Sequence, residues 1–481
     1  MRTFALITAS AAMALSPVAA AAQTARAISQ SDRAQGTQAN PQLVAEFGGR
    51  YDGPQAAFVE RVGKRVALQS GLSNAQDDFT VQLLNSPVEN AFAIPGGYIY
   101  VTRQLLALMN SEDELAFVMG HEVGHVAARH SAGRQRTNTL GGVLAGIVGA
   151  AAGNSALGQL VATGAQRASQ LYGLKYGRDQ EYQADGLGVR YVAGAGYDPA
   201  AAPLILGQLG ASSSLSARAS GNSAGTIPTW LSTHPSSTDR VARARALAAQ
   251  QASRTGTRPA QDVAFLRMLD GMRYDDDPAQ GVIDGQTFRH PVMRIKFSAP
   301  AGYRIANSTE AVTVQGARGQ AQLSAAPRGT ADPAAAVVQR FQTLGARVAS
   351  DQVRMTSIGG RQAATATVSA TANNQRVDAT VIALPLAGAT YLWTIVTPAG
   401  AGLTAFEPLL TSFTTMSDAE VSAVRGKRIR IHNVRAGDTI DTLARQMAYT
   451  DLQRERFLTL NGLSQTATLT PGMLVKLVVQ G

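Results

Sequence analysis

Apolar residues recur every fourth position at Phe58, Val62 and Val66, a period that predicts a helix over 54–69. Phe79-Thr80-Val81-Gln82-Leu83 alternates and reads as a strand. Two further short strands are expected at Ala91-Phe92-Ala93-Ile94 and Tyr98-Ile99-Tyr100-Val101, joined by the turn Pro95-Gly96-Gly97. Ser111 ahead of Glu112-Asp113-Glu114 opens a helix that runs to about His130. The hydroxyl can cap the first free N–H groups, and the acids suit the positive end of the dipole. Helices are also expected over 167–195, 203–209 and 237–251. The stretch 211–226, rich in Ser, Ala and Gly, lacks a period and reads as a flexible loop.

From residue 285 the pattern changes. Met293, Ile295 and Phe297 alternate with Arg294 and Lys296. Further strands are expected at 311–314, 364–368, 377–383 and 391–396, with helices near 334–344 and 403–413. The chain therefore reads as α+β in three units. A mainly helical unit with a small sheet covers 44–252. After a connector over 253–284, an α+β unit of unknown role covers 285–417. A small strand–helix–helix–strand unit closes the chain over 428–481.

Composition narrows the chemistry. The 481 residues include no cysteine, which excludes thiolate catalysis, iron–sulfur clusters and Cys-type zinc sites. A metal would have to use His, Asp or Glu, and there are only six His. The formal net charge is +10, and the stretch 425–481 holds nine Lys/Arg against four Asp/Glu. Such an excess suits nucleic acid, an anionic membrane or another acidic polymer. The N-terminus argues against nucleic acid. Met1-Arg2, a mostly apolar run over 4–15, Pro17 and Ala20-Ala21-Ala22 form a secretory signal pattern with cleavage after Ala22. That makes 1–22 a signal peptide, 23–43 a polar mobile leader, and the mature chain periplasmic. No other stretch reaches about 20 apolar residues, so no transmembrane span is expected after signal removal. The apolar run 140–153 is too short to span. It is a candidate contact with a membrane surface or a hydrophobic substrate, or a packed segment near the cleft.

The chemistry centres on His121-Glu122-Val123-Gly124-His125. Spacing of four places both imidazoles on one helix face, where both can reach one ion. Glu122 is rotated by about 100° from His121, near enough to act as base. Gly124 breaks helix propensity by about 1 kcal/mol relative to alanine, which suggests a close approach there. His130 points elsewhere by helical period and reads as a surface histidine. A catalytic zinc needs a third protein ligand and an open position. Glu181 and Asp185, four apart on the next long helix, share a face. Glu181 can complete a His-His-Glu set, and Asp185 can accept from the far nitrogen of a ligand histidine.

These residues, together with the Asn90-Ala91-Phe92-Ala93-Ile94-Pro95-Gly96-Gly97 stretch, Gly196-Tyr197-Asp198-Pro199, and Thr233-His234-Pro235 with Arg240, resemble the gluzincin family. That is the zincin-type metalloprotease family of bacterial HtpX, the CAAX prenyl proteases and the periplasmic protease BepA. The resemblance covers about 44–251, and lack of spans places it nearest the soluble BepA-like branch. It implies one zinc per chain held by His121, His125 and Glu181, with Glu122 as general base and Asp185 orienting His121. It puts His234 over the metal, either stabilising the oxyanion or latching the open zinc position. Arg240 would support that segment or the Glu181 carboxylate, and 90–94 would be the edge strand that pairs with substrate. The 428–481 unit resembles LysM modules, which implies peptidoglycan as a partner through a separable tail. The expected function is an exported zinc metalloendopeptidase acting on misfolded or stalled envelope proteins. The alternatives are a peptidoglycan stem-peptide hydrolase and a non-catalytic chaperone or wall-binding protein with a latched zinc site.

Overall fold

A computed structural model of the chain describes residues 27–130, 176–219, 230, 234, 238–251, 261–308, 311–327, 329–330, 332–372 and 375–481. The signal pattern, the apolar run 140–153 and the residues 167–175 and 220–226 lie outside them. The N-terminal part comprises α1 (Gln30–Glu46), α2 (Pro54–Ala67), β1 (Thr80–Leu84), β2 (Ala91–Ile94), β3 (Tyr98–Thr102), α3 (Arg103–Leu108) and α4 (Glu112–Ala127). It continues with α5 (Arg178–Gly194), α6 (Ala201–Ala219), α7 (Thr238–Gln251), α8 (Val263–Leu269) and β4 (Arg273–Tyr274). The sheet runs in the order β1-β3-β2, with β1 parallel and β2 antiparallel to β3, so β2 is an edge strand of this sheet among the described residues.

Two expectations are corrected here. The stretch read as a mobile leader holds α1. Ser29 Oγ caps it from Asp32 N at 3.0 Å, and Leu43 and Phe47 bury against Leu84, Phe92 and Tyr100. A Cβ at Gly36 would stand 2.4 Å from Pro95 O, so the helix lies flat on the β2–β3 turn. Its large apolar side chains, Leu43, Val44 and the C-cap Phe47, cluster at its C-terminal end and show no helical period, which hid it. The stretch from 211 read as a loop continues α6 to Ala219. Ser212 and Leu215 are buried along it, and Ser214 turns its hydroxyl onto Gly210 O at 2.9 Å, which satisfies the polar group inside a helix.

The middle part comprises β5 (Val282–Asp284), β6 (Thr287–His290), β7 (Ile295–Ser298), β8 (Arg304–Asn307), β9 (Val312–Gly316) and β10 (Gly319–Ala325). It continues with α9 (Pro333–Thr343), β11 (Arg354–Ile358), β12 (Arg361–Ala372), β13 (Gln375–Leu386), β14 (Ala389–Pro398), α10 (Glu407–Ser412), β15 (Thr414–Thr415) and α11 (Asp418–Ala423). Seven strands form one antiparallel sheet, β11-β12-β13-β14-β10-β9-β8. Its one face is covered by α9 through Ala336, Val337 and Phe341. The other is covered by the β15-β7-β6-β5 sheet and α10, around Phe288, Phe297, Trp393 and Phe413.

The C-terminal part is β16 (Lys427–Asn433), α12 (Ile440–Ala444), α13 (Gln453–Leu460) and β17 (Leu474–Gln480), the expected strand–helix–helix–strand order. It is not a separable tail. β16 pairs with β4, and Ile429, Leu443, Phe457 and Val478 belong to the same core as Leu105, Leu115 and Phe265. Lys476 Nζ, fully buried, donates to Ala107, Leu108 and Met109 O at 2.8, 3.0 and 2.6 Å and so closes the C-terminus of α3. The stretch read as a connector is not a spacer either, since Phe265, Leu269 and Met272 sit in that core. Among the described residues, no helix is long and apolar enough to cross a membrane.

Candidate metal centre

The site forms where α4 crosses α5. Gly120 and Gly124 on α4 face Gly188, Ala184 and Leu187 on α5. A Cβ at Gly124 would lie 3.2 Å from Ala184 O and from Leu187 Cβ, and one at Gly188 would lie 3.0 Å from His121 N. The helix-breaking glycine noticed in the motif therefore admits the neighbouring helix, and that contact carries Glu181 to the histidines.

Four donors converge. His121 Nε2 lies 3.0 Å from His125 Nε2 and 3.2 Å from His234 Nδ1. Glu181 places Oε1 3.4 Å from His125 Nε2 and 3.1 Å from His234 Nδ1, and Oε2 3.5 Å from His121 Nε2. All four side chains are buried. A tetrahedron built on zinc–nitrogen bonds of about 2.05 Å has edges of about 3.3 Å. The five spacings bracket that length, so the donor set and its geometry fit zinc.

The supports are equally specific. His121 Nδ1 bonds Asp185 Oδ1 at 2.9 Å. Arg240 grips Asp185 with two bonds, Nε to Oδ2 at 2.8 Å and Nη2 to Oδ1 at 2.7 Å. Its Nη1 reaches Glu181 Oε2 at 2.7 Å and His234 O at 3.2 Å, so it serves both tasks weighed for it. Burial raises the Asp185 carboxyl, but the Arg240 and His121 bonds outweigh it and bring Asp185 to about 2. Burial lowers His121, but Asp185 and Glu181 together leave it above its ordinary value. Burial holds His125 and His234 well below the usual histidine range, which keeps them neutral and able to ligate.

Glu122 stands beside the donors without joining them. Trp230 Nε1 donates to its Oε1 at 2.9 Å, His234 Nε2 lies 3.5 Å from the same oxygen, and Oε2 has no hydrogen-bond partner among the described residues. Burial raises its carboxyl to about 8.

Three neighbours were not foreseen. Trp230 stacks on the His234 ring at 4.5 Å and 18°, and its backbone N–H donates to Glu89 O at 2.7 Å, two residues before the edge strand β2. It lies four residues before His234, a spacing that shares a helical face and could have flagged it. Tyr176 stacks on His125 at 3.6 Å. His130 is a correction: it is buried and bonds His125 Nδ1 through its own Nδ1 at 2.8 Å. The helical period fails at His130 because α4 ends at Ala127. Arg129 then turns left-handed at φ 53°, and His130 N folds back onto His125 O at 3.0 Å, a Schellman closure.

A buried His-His-Glu-His donor set next to an unligated glutamate defines a metallopeptidase-type centre. Residues 54–248 match the model of Peptidase family M48. Relatives include the mitochondrial metalloendopeptidase OMA1 of Schizosaccharomyces pombe, 31% identical over 42% of this chain and 56% of that protein. The OMA1 enzyme of Arabidopsis thaliana is 35% identical over 33% of this chain and 30% of its own length. The beta-barrel assembly-enhancing protease of Escherichia coli K12 is 30% identical over 39% and 38%. The chain thus spans from 30% to 56% of the length of these relatives.

Proposed function

We propose that the chain is an exported, zinc-dependent metalloendopeptidase of the bacterial envelope, with one zinc per chain held by His121, His125 and Glu181. The observation that carries this reading is the convergence of those donors beside a buried Glu122 whose Oε2 is unengaged among the described residues. Bound zinc would supply a Lewis acid at that point of convergence. Glu122 takes the proton of the attacking water and returns it to the leaving amine. Asp185 fixes the His121 tautomer, and Arg240 fixes Asp185. An extended substrate adds to the β2 edge through main-chain hydrogen bonds, which gives affinity without reading sequence.

The fourth donor supports a latched resting state. Zinc sites with four protein ligands are closed, and catalytic ones keep a position open. His234 Nδ1 would supply a fourth donor, and Trp230 holds Glu122 and the backbone just before β2. Departure of this pair frees the base, the metal position and the strand edge together.

Misfolded or stalled envelope proteins are the substrates that suit such an edge. The export pattern favours the periplasm over the organelle named for the mitochondrial relatives, and the Escherichia coli relative is named for β-barrel assembly. Peptidoglycan is proposed as partner of the 428–481 unit on its strand–helix–helix–strand order and its basic charge. Sedimentation of the whole chain with sacculi tests this, and none would remove that partner. Elemental analysis of purified protein tests the metal assignment. One zinc per chain is expected, mostly lost in Glu181→Ala; full zinc and full activity in that variant would overturn the third ligand.

A further inference from the structure

Ligand histidines usually give their second ring N–H to a carboxylate, a carbonyl or water. His121 follows that rule with Asp185. His125 does not: its Nδ1 faces another imidazole nitrogen, His130 Nδ1, at 2.8 Å. Two imidazole nitrogens share a hydrogen bond only if one carries a proton and the other does not, so the pair has two possible settings. In one, His125 donates from Nδ1 and keeps a lone pair on Nε2. In the other, His130 donates, and a neutral His125 must carry its proton on Nε2, where it cannot bind a metal.

The far side of His130 chooses between them. His130 Nε2 lies 3.0 Å from Gln183 Oε1, a carbonyl oxygen that only accepts. Nε2 must therefore hold the proton of neutral His130, which leaves Nδ1 bare and able to receive the His125 proton. The frame around this chain is fixed. Gln183 sits on α5 two residues after Glu181 and two before Asp185. Gln180 Nε2 donates to His130 O at 3.3 Å, and the Schellman closure ties His130 N to His125 O.

We infer that His130, set by Gln183, is a positioning residue that locks His125 in its Nδ1–H tautomer and so presents Nε2 as a ligand. One helix, α5, thereby orients both ligand histidines of α4, His121 through Asp185 and His125 through Gln183 and His130. This inference rests on the metal-site reading above.

The test uses the whole mature chain with zinc alone as the probe. Zinc affinity is measured by competition with a chromophoric chelator for wild type, His130→Leu, His130→Asn and Gln183→Leu. Leu removes the acceptor, and the expected loss is about 10–100-fold, the size usual for such partners. Asn places Oδ1 where Nδ1 stood and should bind zinc within about threefold of wild type. Gln183→Leu, at a partly exposed position, frees the His130 tautomer and should fall between the two. In ¹⁵N-histidine spectra of the zinc-loaded wild type, His125 should carry its proton on Nδ1 and His130 on Nε2. Wild-type affinity in both Leu variants, or a His130 proton on Nδ1, would overturn the inference. So would equal losses in His130→Asn and His130→Leu, since that pattern reports packing alone. Failure of the wild type to bind zinc would instead overturn the metal-site reading.

Discussion

Replacing Lys476 with methionine should destabilise the peptidase body, although the residue lies at the far end of the chain. Its ammonium is buried and donates to three consecutive carbonyls at the end of α3, five residues or fewer before α4 begins at Glu112. Burial lowers Lys476 from its ordinary range and raises nearby Glu114 to about 7, and the two charges support each other. Methionine fills most of the volume but donates nothing. Each carbonyl left dry costs about 1–3 kcal/mol. Breaking a buried charge pair typically costs about 3–5 kcal/mol in total. For a body of this size, that predicts a fall in melting midpoint of roughly 6–20 °C. The two tryptophans separate the assay, because Trp230 lies in the peptidase body and Trp393 in the middle sheet. Only the Trp230 transition should move. A shift under about 2 °C would refute the claim that the C-terminal unit shares one core with the metal centre. A chain ending near residue 417 should on the same grounds fail to yield a stable peptidase.

Two further outcomes are expected. Burial raises Glu89, whose two carboxylate oxygens share the single Ser212 hydroxyl at 2.8 Å, from 4.5 to about 7. A raised carboxyl contributes stability that is complete below its unfolded value and lost as pH rises through its folded value. Wild type should therefore lose on the order of 3 kcal/mol relative to Glu89→Gln between pH 4.5 and 7, and parallel melting-versus-pH curves would refute it. Gly124→Ala would drive a methyl to 3.2 Å from Ala184 O and Leu187 Cβ, displacing α5 by a few tenths of an ångström. It should cost about 1–3 kcal/mol against a helix-propensity gain of about 1 kcal/mol, and should weaken zinc binding. Unchanged chelator competition would show that the helix contact does not set the ligand spacing.

The sequence revealed the site where its chemistry follows regular helical spacing. His121 and His125 share one helix face, as do Glu181 and Asp185 on another, and those four side chains meet as the spacing implies. Periodicity lost its grip where helices end: His130 returns to the site through the left-handed Arg129, which no apolar pattern marks. The docked N-terminal helix was hidden for a different reason, since its large apolar anchors, Leu43, Val44 and Phe47, sit together at the end of a polar segment. The role of Lys476 was hidden because charge counting places every lysine on the surface. In the fold, this one is a buried helix cap joining residues more than 300 positions apart.

Casein turnover by His234→Ala, alone and combined with Glu122→Gln, tests the latched zinc-peptidase reading most directly. Removing His234 opens the fourth position, so the single variant should exceed the wild type. Adding Glu122→Gln should keep the zinc, since Glu122 is not among the converging donors, and should lower turnover by at least about 10²-fold, the lower end of what a general base contributes. A double variant as active as His234→Ala would contradict Glu122 as the base and with it the peptidase reading; a single variant slower than wild type would contradict the latch.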